Sequence, residues 1–225
     1  MDFDNRQYKA QRLRHFEGLG VSDAVFNLTI GLVLLWGFFV NGCMAVFFSS
    51  SILQMNYLLI LVLYFAGSIV GTMTVYKSDQ PLISLVGFTL LSMSMGLLLT
   101  YFVSYYTVSS ISTAFFLSGV VTACMIVLSC IFPAFFNGLG RTLATSLLIA
   151  IIADLAAVFL FRAALGILDM AVVLIFCGYI GYDWSKAQMY PRTLDNAIDC
   201  AADIYVDIVN LFIRILSLLG RRRND

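Results

Sequence analysis

Apolar runs long enough to cross a bilayer recur along the whole chain, and this feature constrains the fold more than any other. A helix needs about 20 consecutive apolar residues to span the hydrocarbon core of a membrane. Runs of that length begin at Ala24 and follow one another almost to the C-terminus, with connections of a few residues between them. Because 61% of the residues are hydrophobic and only 12% are charged, water is not the main solvent of this chain.

The pattern predicts an all-α polytopic membrane protein, a bundle of seven transmembrane helices. The predicted spans are residues 22–48, 52–76, 81–104, 111–136, 142–163, 167–185 and 196–219. We divide the chain into a short cytoplasmic N-terminal segment (1–21), the transmembrane domain (22–220) and a basic C-terminal tail (221–225). Gly67 and Gly71 form a GxxxG pattern in the second span, which favours close packing against another helix.

Basic residues in short loops indicate the orientation of such a protein. With seven spans, Arg162 alone lies in the loops on the side opposite the N-terminus. The N-terminal side holds Arg6, Lys9, Arg12, Arg14, Lys77, Arg141, Lys186 and Arg192. We therefore expect a cytoplasmic N-terminus. The basic residues 221–223 disagree, because seven crossings place them outside, whereas a re-entrant last segment returns them to the cytoplasm; we favour seven crossings. Without a long Pro- or Gly-rich tail, a prokaryotic plasma membrane is favoured over an organelle.

Several classes of function are excluded by residues that the chain lacks. A formal net charge of zero argues against a nucleic-acid partner, which needs a basic surface. The only histidine is His15, in the N-terminal segment, so histidine-dependent serine proteases, haem proteins and zinc enzymes lack their essential group. The five cysteines form no CxxC motif and fit packing positions. We expect neither an enzyme nor a resident cofactor.

Charged side chains inside a span are costly in lipid and mark candidate functional sites. The last span carries four aspartates at intervals of four residues, which an α-helix places on one face. They are Asp195, Asp199, Asp203 and Asp207. Asn210 and Arg214 extend this polar face, so the last helix must pack against other helices and is predicted to be central.

The depth of each aspartate decides which structural interpretation fits it. Asp195 and Asp199 fit the interfacial first turns of the helix, where the helix dipole favours carboxylates. Asp207 lies about 18 Å further along the helix, near the middle of the bilayer. A pair with Arg214, or with an arginine or hydroxyl on another helix, is the structural alternative for Asp207. Asp154, midway in the fifth span, is a second-rank candidate, because a buried hydrogen bond or a pair with Arg214 explains it as well as a role in transport does.

Two segments near the C-terminus carry a recognisable motif. They are Gly181-Tyr182-Asp183 in the sixth span and residues 204–216, IYVDIVNLFIRIL, in the seventh. These segments resemble the transmembrane Bax inhibitor motif family, whose bacterial members are small seven-helix proteins. The resemblance implies a pH-sensitive calcium leak, with Asp183 and Asp207 as the paired aspartates and calcium ligands. It also implies a basic latch residue near the end of the second helix, where Lys77 is the nearest match although the family residue looks like an arginine.

The behaviour expected of such a pair follows from electrostatics. Two carboxylates in contact at low dielectric share a proton and titrate as a coupled unit. Acidification is then expected to close the pair, and deprotonation or calcium to separate it, since calcium accepts carboxylate oxygens in irregular geometries. A symmetric hairpin with its tip near Pro191 matches the depth of Asp183 with Asp199, so pairing with Asp207 requires an asymmetric connection.

Two other functions are weighed against the leak. One is an interaction protein that modulates another membrane protein, such as a quality-control protease. The more remote one is an intramembrane aspartyl protease, but Asp207 lies in YVD rather than GxGD and no PAL segment follows. The expected partners are therefore calcium ions and protons, the lipid bilayer and, for the alternative, a membrane-protein partner.

Overall fold

The computed structural model describes residues 20–157 and 166–220, and every regular element within those two ranges is an α-helix. The helices are α1 (Asp23–Phe47), α2 (Ser49–Gln54), α3 (Tyr57–Lys77), α4 (Pro81–Val103), α5 (Val108–Ile131), α6 (Pro133–Gly138), α7 (Gly140–Ala156), α8 (Gly166–Ala187) and α9 (Leu194–Leu219). His15, Arg162, most of the N-terminal segment and the basic tail lie outside the described residues.

Five helices are long and apolar enough to cross a membrane, namely α1, α3, α4, α5 and α8. They confirm the prediction of an all-α polytopic membrane protein. Helix α7 is shorter within the described residues, and α9 is less apolar because it carries the aspartates. Seven crossings therefore stay a prediction.

The predicted fourth span, 111–136, is divided in two. Helix α5 ends at Ile131, and Pro133 begins the short helix α6. Proline has no N–H to donate and clashes with the preceding turn, so it fits the first turn of a helix and interrupts the interior. Pro81 begins α4 for the same reason.

Helices α3 and α4 pack with their backbones close together at glycines. A Cβ atom at Gly71 would lie 2.7 Å from the backbone nitrogen of Leu91 and 2.9 Å from the carbonyl oxygen of Gly87. Gly67 faces the side chain of Ser94 in the same interface. The GxxxG pattern therefore has the predicted packing role, since only glycine permits this approach.

Helix α9 lies at the centre of the bundle, as predicted. It packs against α1, α3, α4, α5 and α8, and most of its side chains are buried. Tyr205 is 0% exposed, and its ring contacts those of Phe38 and Phe88. Its hydroxyl accepts a hydrogen bond from Asn41 Nδ2 at 2.8 Å and donates one to Asn41 Oδ1 at 3.0 Å. These contacts anchor α9 to α1 and α4.

The outer surface of the bundle is apolar. Large side chains such as Val46, Leu58 and Phe116 are mostly exposed on α1, α3 and α5. Exposed apolar surface of this extent is unfavourable in water but matches the acyl chains of a bilayer. All five cysteines are free; Cys200 is buried, whereas Cys124 and Cys130 are exposed.

Candidate functional site

A cavity of about 520 Å³ lies beside α9 and is walled by α3, α4, α7 and α8. Charged and polar side chains cluster along it, which is unusual inside a membrane bundle and indicates a functional site. Those that line it include Tyr76, Asp154, Tyr179, Asp183, Asp203, Asp207, Asn210 and Arg214.

Asp183 on α8 and Asp207 on α9 both line this cavity, and their carboxyl groups lie close enough to interact. Asp207 is only 6% exposed, and its Oδ2 atom has no hydrogen-bond partner among the described residues. Of the two partners that the sequence left open for Asp183, the geometry therefore selects Asp207 rather than Asp199.

An axial offset of the last two helices makes this pairing possible. Helix α8 ends four residues after Asp183, at Ala187, whereas α9 begins thirteen residues before Asp207, at Leu194. If the two aspartates lie at one level, α9 extends about 14 Å beyond the end of α8. Residues 188–193 cover that distance as a turn followed by extended chain, with no helix. This is the asymmetric connection that the pairing requires.

A lysine and a tyrosine complete the group around the pair. The Nζ atom of Lys186 lies 3.4 Å from Asp203 Oδ2 and 3.9 Å from Asp183 Oδ1. The hydroxyl of Tyr76, on α3, donates a hydrogen bond to Asp203 Oδ1. Asp199, one turn before Asp203, is 1% exposed and lies within electrostatic range of Tyr76.

We call this group the acidic cluster. Its members are Asp183, Asp199, Asp203 and Asp207, with Lys186 and Tyr76. Among the described residues, the ammonium group of Lys186 faces the carboxyl groups of Asp183, Asp203 and Asp207. Three ionised carboxylates beside one ammonium group are unfavourable in a buried site, and a shared proton or a cation relieves this excess.

Lys186, and not Lys77, is the basic residue at the pair. Lys77 ends α3 as an exposed side chain and lines a separate surface depression with Ser78 and Asp79. Lys77 therefore does not line the cavity, whereas Tyr76, one residue earlier, does, and the latch role of Lys77 stays a prediction. In the sequence, Lys186 was interpreted only as a loop charge. Its position three residues after Asp183, which places both side chains on one helix face, is the signal that indicates its role here.

A second charged group, the arginine clamp, joins α7, α8 and α9 on the same cavity. The Nη1 atom of Arg214 lies 2.6 Å from Asp169 Oδ1, and its Nη2 atom lies 2.6 Å from Asp154 Oδ2. The hydroxyl of Ser217 donates to Asp169 Oδ2 at 3.0 Å. Arg214 thus forms the pair with Asp154 that the sequence allowed, and its second partner, Asp169, is buried.

Asp195, the first of the four aspartates on the acidic face of α9, has a different environment from the others. Asp195 lies in the first turn of α9, as predicted, but it is buried. Its Oδ1 atom accepts a hydrogen bond from the hydroxyl of Ser84 at 2.6 Å, which ties the start of α9 to α4. The acidic face of α9 therefore makes a structural contact at Asp195, and its other three aspartates belong to the acidic cluster.

The cavity is not a closed metal site in this conformation. Within residues 20–157 and 166–220, no three Asp, Glu, His or Cys side chains converge in a metal-binding arrangement. Asp183 and Asp207 offer carboxylate oxygens that suit calcium, but calcium takes six to eight oxygen ligands.

Comparisons with known proteins agree with the architecture. Residues 24–224 match the family described as "Inhibitor of apoptosis-promoting Bax1". The chain is 26% identical to the Golgi anti-apoptotic protein of Vaccinia virus (strain Lister) over 203 residues, which cover 89% of this chain and 81% of that protein. It is 35% identical to Bax inhibitor 1 of Schizosaccharomyces pombe over 94 residues, 40% of this chain and 34% of that protein. The BI1-like protein of Arabidopsis thaliana is 36% identical over 94 residues, 40% of this chain and 35% of that protein.

Proposed function

We propose that this protein, which belongs to the family of inhibitors of apoptosis-promoting Bax1, conducts calcium passively across a membrane under the control of pH. The observation on which the proposal depends is the contact between the carboxyl groups of Asp183 and Asp207 inside the bundle. Ionisable groups at this depth are expensive to keep and are typical of ion pathways.

The proposed gate works through the proton that the pair shares. At acidic pH, this proton holds Asp183 on α8 against Asp207 on α9 and keeps the path closed. At higher pH, the proton leaves and two like charges in contact repel each other, which separates the helices. Calcium then passes between them, because it accepts carboxylate oxygens without demanding a regular geometry.

The groups that face the pair tune this gate. Lys186 lies between Asp183 and Asp203 and offsets part of the negative charge in the closed state. Tyr76 on α3 and Tyr179 on α8 border the same cavity. The guanidinium group of Arg214 stands two turns beyond Asp207, about 10 Å along α9, and forms the barrier that a cation meets next.

The orientation that we propose places the N-terminus in the cytoplasm. Arg192 pairs with Asp23 at 2.6 Å, so the start of α1 and the connection between α8 and α9 lie at the same end of the bundle. Lys186 lies near this end, at the end of α8. An excess of basic residues at one end is typical of the cytoplasmic side.

Calcium flux into liposomes tests the proposal. Purified protein is reconstituted in vesicles that enclose a calcium-sensitive dye, and flux is measured at neutral and acidic pH. We expect flux with the purified protein alone and less flux at acidic pH. Asp207→Asn removes one of the two titrating groups and should flatten the pH response. Asp79→Asn, at an exposed carboxylate in the connection between α3 and α4, is the matched control and should behave like wild type.

Two results would contradict different parts of the proposal. Flux no greater than that of empty liposomes at any pH would exclude the leak and leave the modulator of another membrane protein as the better function. Flux whose pH response persists in both Asp183→Asn and Asp207→Asn would retain the leak but exclude this pair as its gate.

A further inference from the structure

The arginine clamp lies near one end of the bundle. Asp169 is three residues after the start of α8, and Arg214 is five residues before the end of α9. The pair formed by Arg192 and Asp23 marks the opposite end, where α8 ends and α9 begins. An ion that moves between the acidic cluster and the end that holds the clamp therefore passes the clamp.

A continuous cavity connects the clamp with the acidic cluster. Asp203 and Arg214 both line it, and they are eleven residues apart on α9, which is about 16 Å of helix. Asp183 and Asp207 line the same cavity. A path that opens between the paired aspartates therefore continues along α9 to the guanidinium group of Arg214.

The half of the cavity beside the clamp has little charge of its own. Among the described residues that line this half, Asp154 and Arg214 are the charged ones. Val172 and Phe176 of α8 and Ala150 of α7 are apolar and buried there. Charges between apolar walls are weakly screened, so these two side chains dominate the local potential that an ion meets.

Two carboxylates keep the guanidinium group of Arg214 in place. Its nitrogen atoms lie 2.6 Å from Asp154 and 2.6 Å from Asp169. The side chain of Asp169 is 11% exposed and is not among the described residues that line the cavity, so it holds Arg214 from behind. The side chain of Arg214 is 29% exposed and does line it. Because a guanidinium group stays protonated, the cavity meets a fixed positive charge beside the negative charge of Asp154.

We propose that Arg214 and Asp154 set the selectivity of the leak between divalent and monovalent cations, an inference that rests on the function proposed above. The charge of Arg214 raises the free energy of a cation beside it, and the charge of Asp154 lowers it. Electrostatic energy is proportional to the charge of the ion, so each side chain acts twice as strongly on calcium as on potassium. Arg214 therefore restrains calcium relative to potassium, and Asp154 favours it.

Parallel flux measurements with the two cations test this proposal. The protein is reconstituted in liposomes that enclose a calcium-sensitive or a potassium-sensitive dye, and both rates are measured at neutral pH, where the proposed gate is open. If Arg214→Gln raises potassium flux about threefold, calcium flux should rise about tenfold, so the ratio of calcium to potassium flux rises about threefold. Asp154→Asn should lower that ratio about threefold.

The opposite signs separate selectivity from packing. Both substitutions break the same contact between α7 and α9, so a clamp that is only structural would shift the ratio in one direction or not at all. Arg214→Lys keeps the positive charge without the two-pronged contact and should keep the ratio within about twofold of wild type. Arg141→Gln removes the same charge at an exposed position near the start of α7 and is the matched control.

The outcomes are separable. Circular dichroism and thermal unfolding identify any variant that has lost its fold, and Asp154→Asn with Arg214→Lys decides if Arg214→Gln fails to fold. A ratio that moves the same way in both charge-removing variants, stays unchanged, or is lost with all flux in folded variants would overturn this inference and leave the leak in place. So would calcium flux without potassium flux in wild type, which one pair of opposite charges does not produce. Wild-type protein that conducts neither cation would overturn the leak itself, and this inference with it.

Discussion

The acidic cluster and the arginine clamp line the same cavity and share α9, yet their charges are matched to very different degrees. In the clamp, Arg214 contacts two carboxylates at 2.6 Å each. In the acidic cluster, Lys186 approaches its two carboxylates only to 3.4 and 3.9 Å. The Oδ2 atom of Asp207, moreover, has no hydrogen-bond partner among the described residues.

We infer from this difference that the clamp is structural and that the acidic cluster carries the proposed function. A charged network whose members are all engaged holds helices together and resists rearrangement. A network with excess like charge and an unpaired oxygen changes its geometry when a proton or cation binds or leaves. The clamp fixes α7, α8 and α9 together, and in our proposal the acidic cluster is the part of the cavity that responds to its ionic surroundings.

The largest effect on stability is expected from Arg214→Met. The substitution leaves Asp154 and Asp169 partly buried without a countercharge. We expect the free energy of unfolding to fall by about 3 kcal/mol, the low end for a buried pair because the Arg214 side chain is 29% exposed. Thermal unfolding in detergent measures it. Arg141→Met, at an exposed position near the start of α7, is the control, and equal midpoints for both variants would refute a structural role for the clamp.

Removing one carboxylate from each group compares them directly. Asp154→Asn loses a charged partner of Arg214 and should lower the free energy of unfolding by about 2 kcal/mol. Asp207→Asn relieves like-charge repulsion and should leave stability unchanged or raise it by about 1 kcal/mol at neutral pH. Thermal unfolding of both variants and of the wild-type protein measures these two changes in stability. If Asp207→Asn destabilises as strongly as Asp154→Asn, the acidic cluster is a matched structural network after all.

Lys186→Met removes the ammonium group that the described part of the chain places in the acidic cluster. Because its contacts are longer than those of the clamp, we expect a loss of only about 1–2 kcal/mol. The more specific readout is calcium flux. Without the positive charge, the carboxyl groups keep their shared proton to higher pH, so the midpoint of the pH response should move upward. Lys77→Met is the control, and a shift as large as that of Lys186→Met would restore Lys77 as the latch.

The smallest effect is expected from Tyr76→Phe. The substitution removes the hydroxyl that donates to Asp203 while keeping the ring against the cavity, and should cost about 1 kcal/mol. Tyr57→Phe, at a half-exposed tyrosine on the same helix, is the control in thermal unfolding. A loss larger than that of Arg214→Met would mean that the acidic cluster, and not the clamp, holds the helices together.

Helix bounds were predictable where one local pattern sets them. The spans predicted at 22–48, 81–104 and 167–185 agree to within two residues with Asp23–Phe47, Pro81–Val103 and Gly166–Ala187. The length of an apolar run and the residues that start a helix are read from neighbouring positions. The span predicted at 111–136 was wrong at its end. Proline interrupts a helix interior, so α5 ends at Ile131 and Pro133 begins α6.

Partners within the site were harder to predict, because each choice depends on two helices. Spacing showed that Asp203 and Asp207 share a helix face, but it also favoured Asp199 over Asp207 as the partner of Asp183. The same limit applies to Lys77, which the resemblance indicated as the latch although its side chain does not line the cavity. A difference of one residue turns a side chain by about 100° around the helix, and only the packed structure shows that Tyr76 faces the cavity.

The sequence by itself determined that this protein lies in a membrane and that its last helix has one acidic face, because hydropathy and a four-residue spacing are local properties of the chain. Only the tertiary structure decided which charges meet. Asp183 reaches Asp207 because α8 and α9 are offset along their axes, and Arg214 reaches Asp154 and Asp169 because three helices converge on it. Those distances depend on how whole helices pack, and no pattern within one helix contains that information.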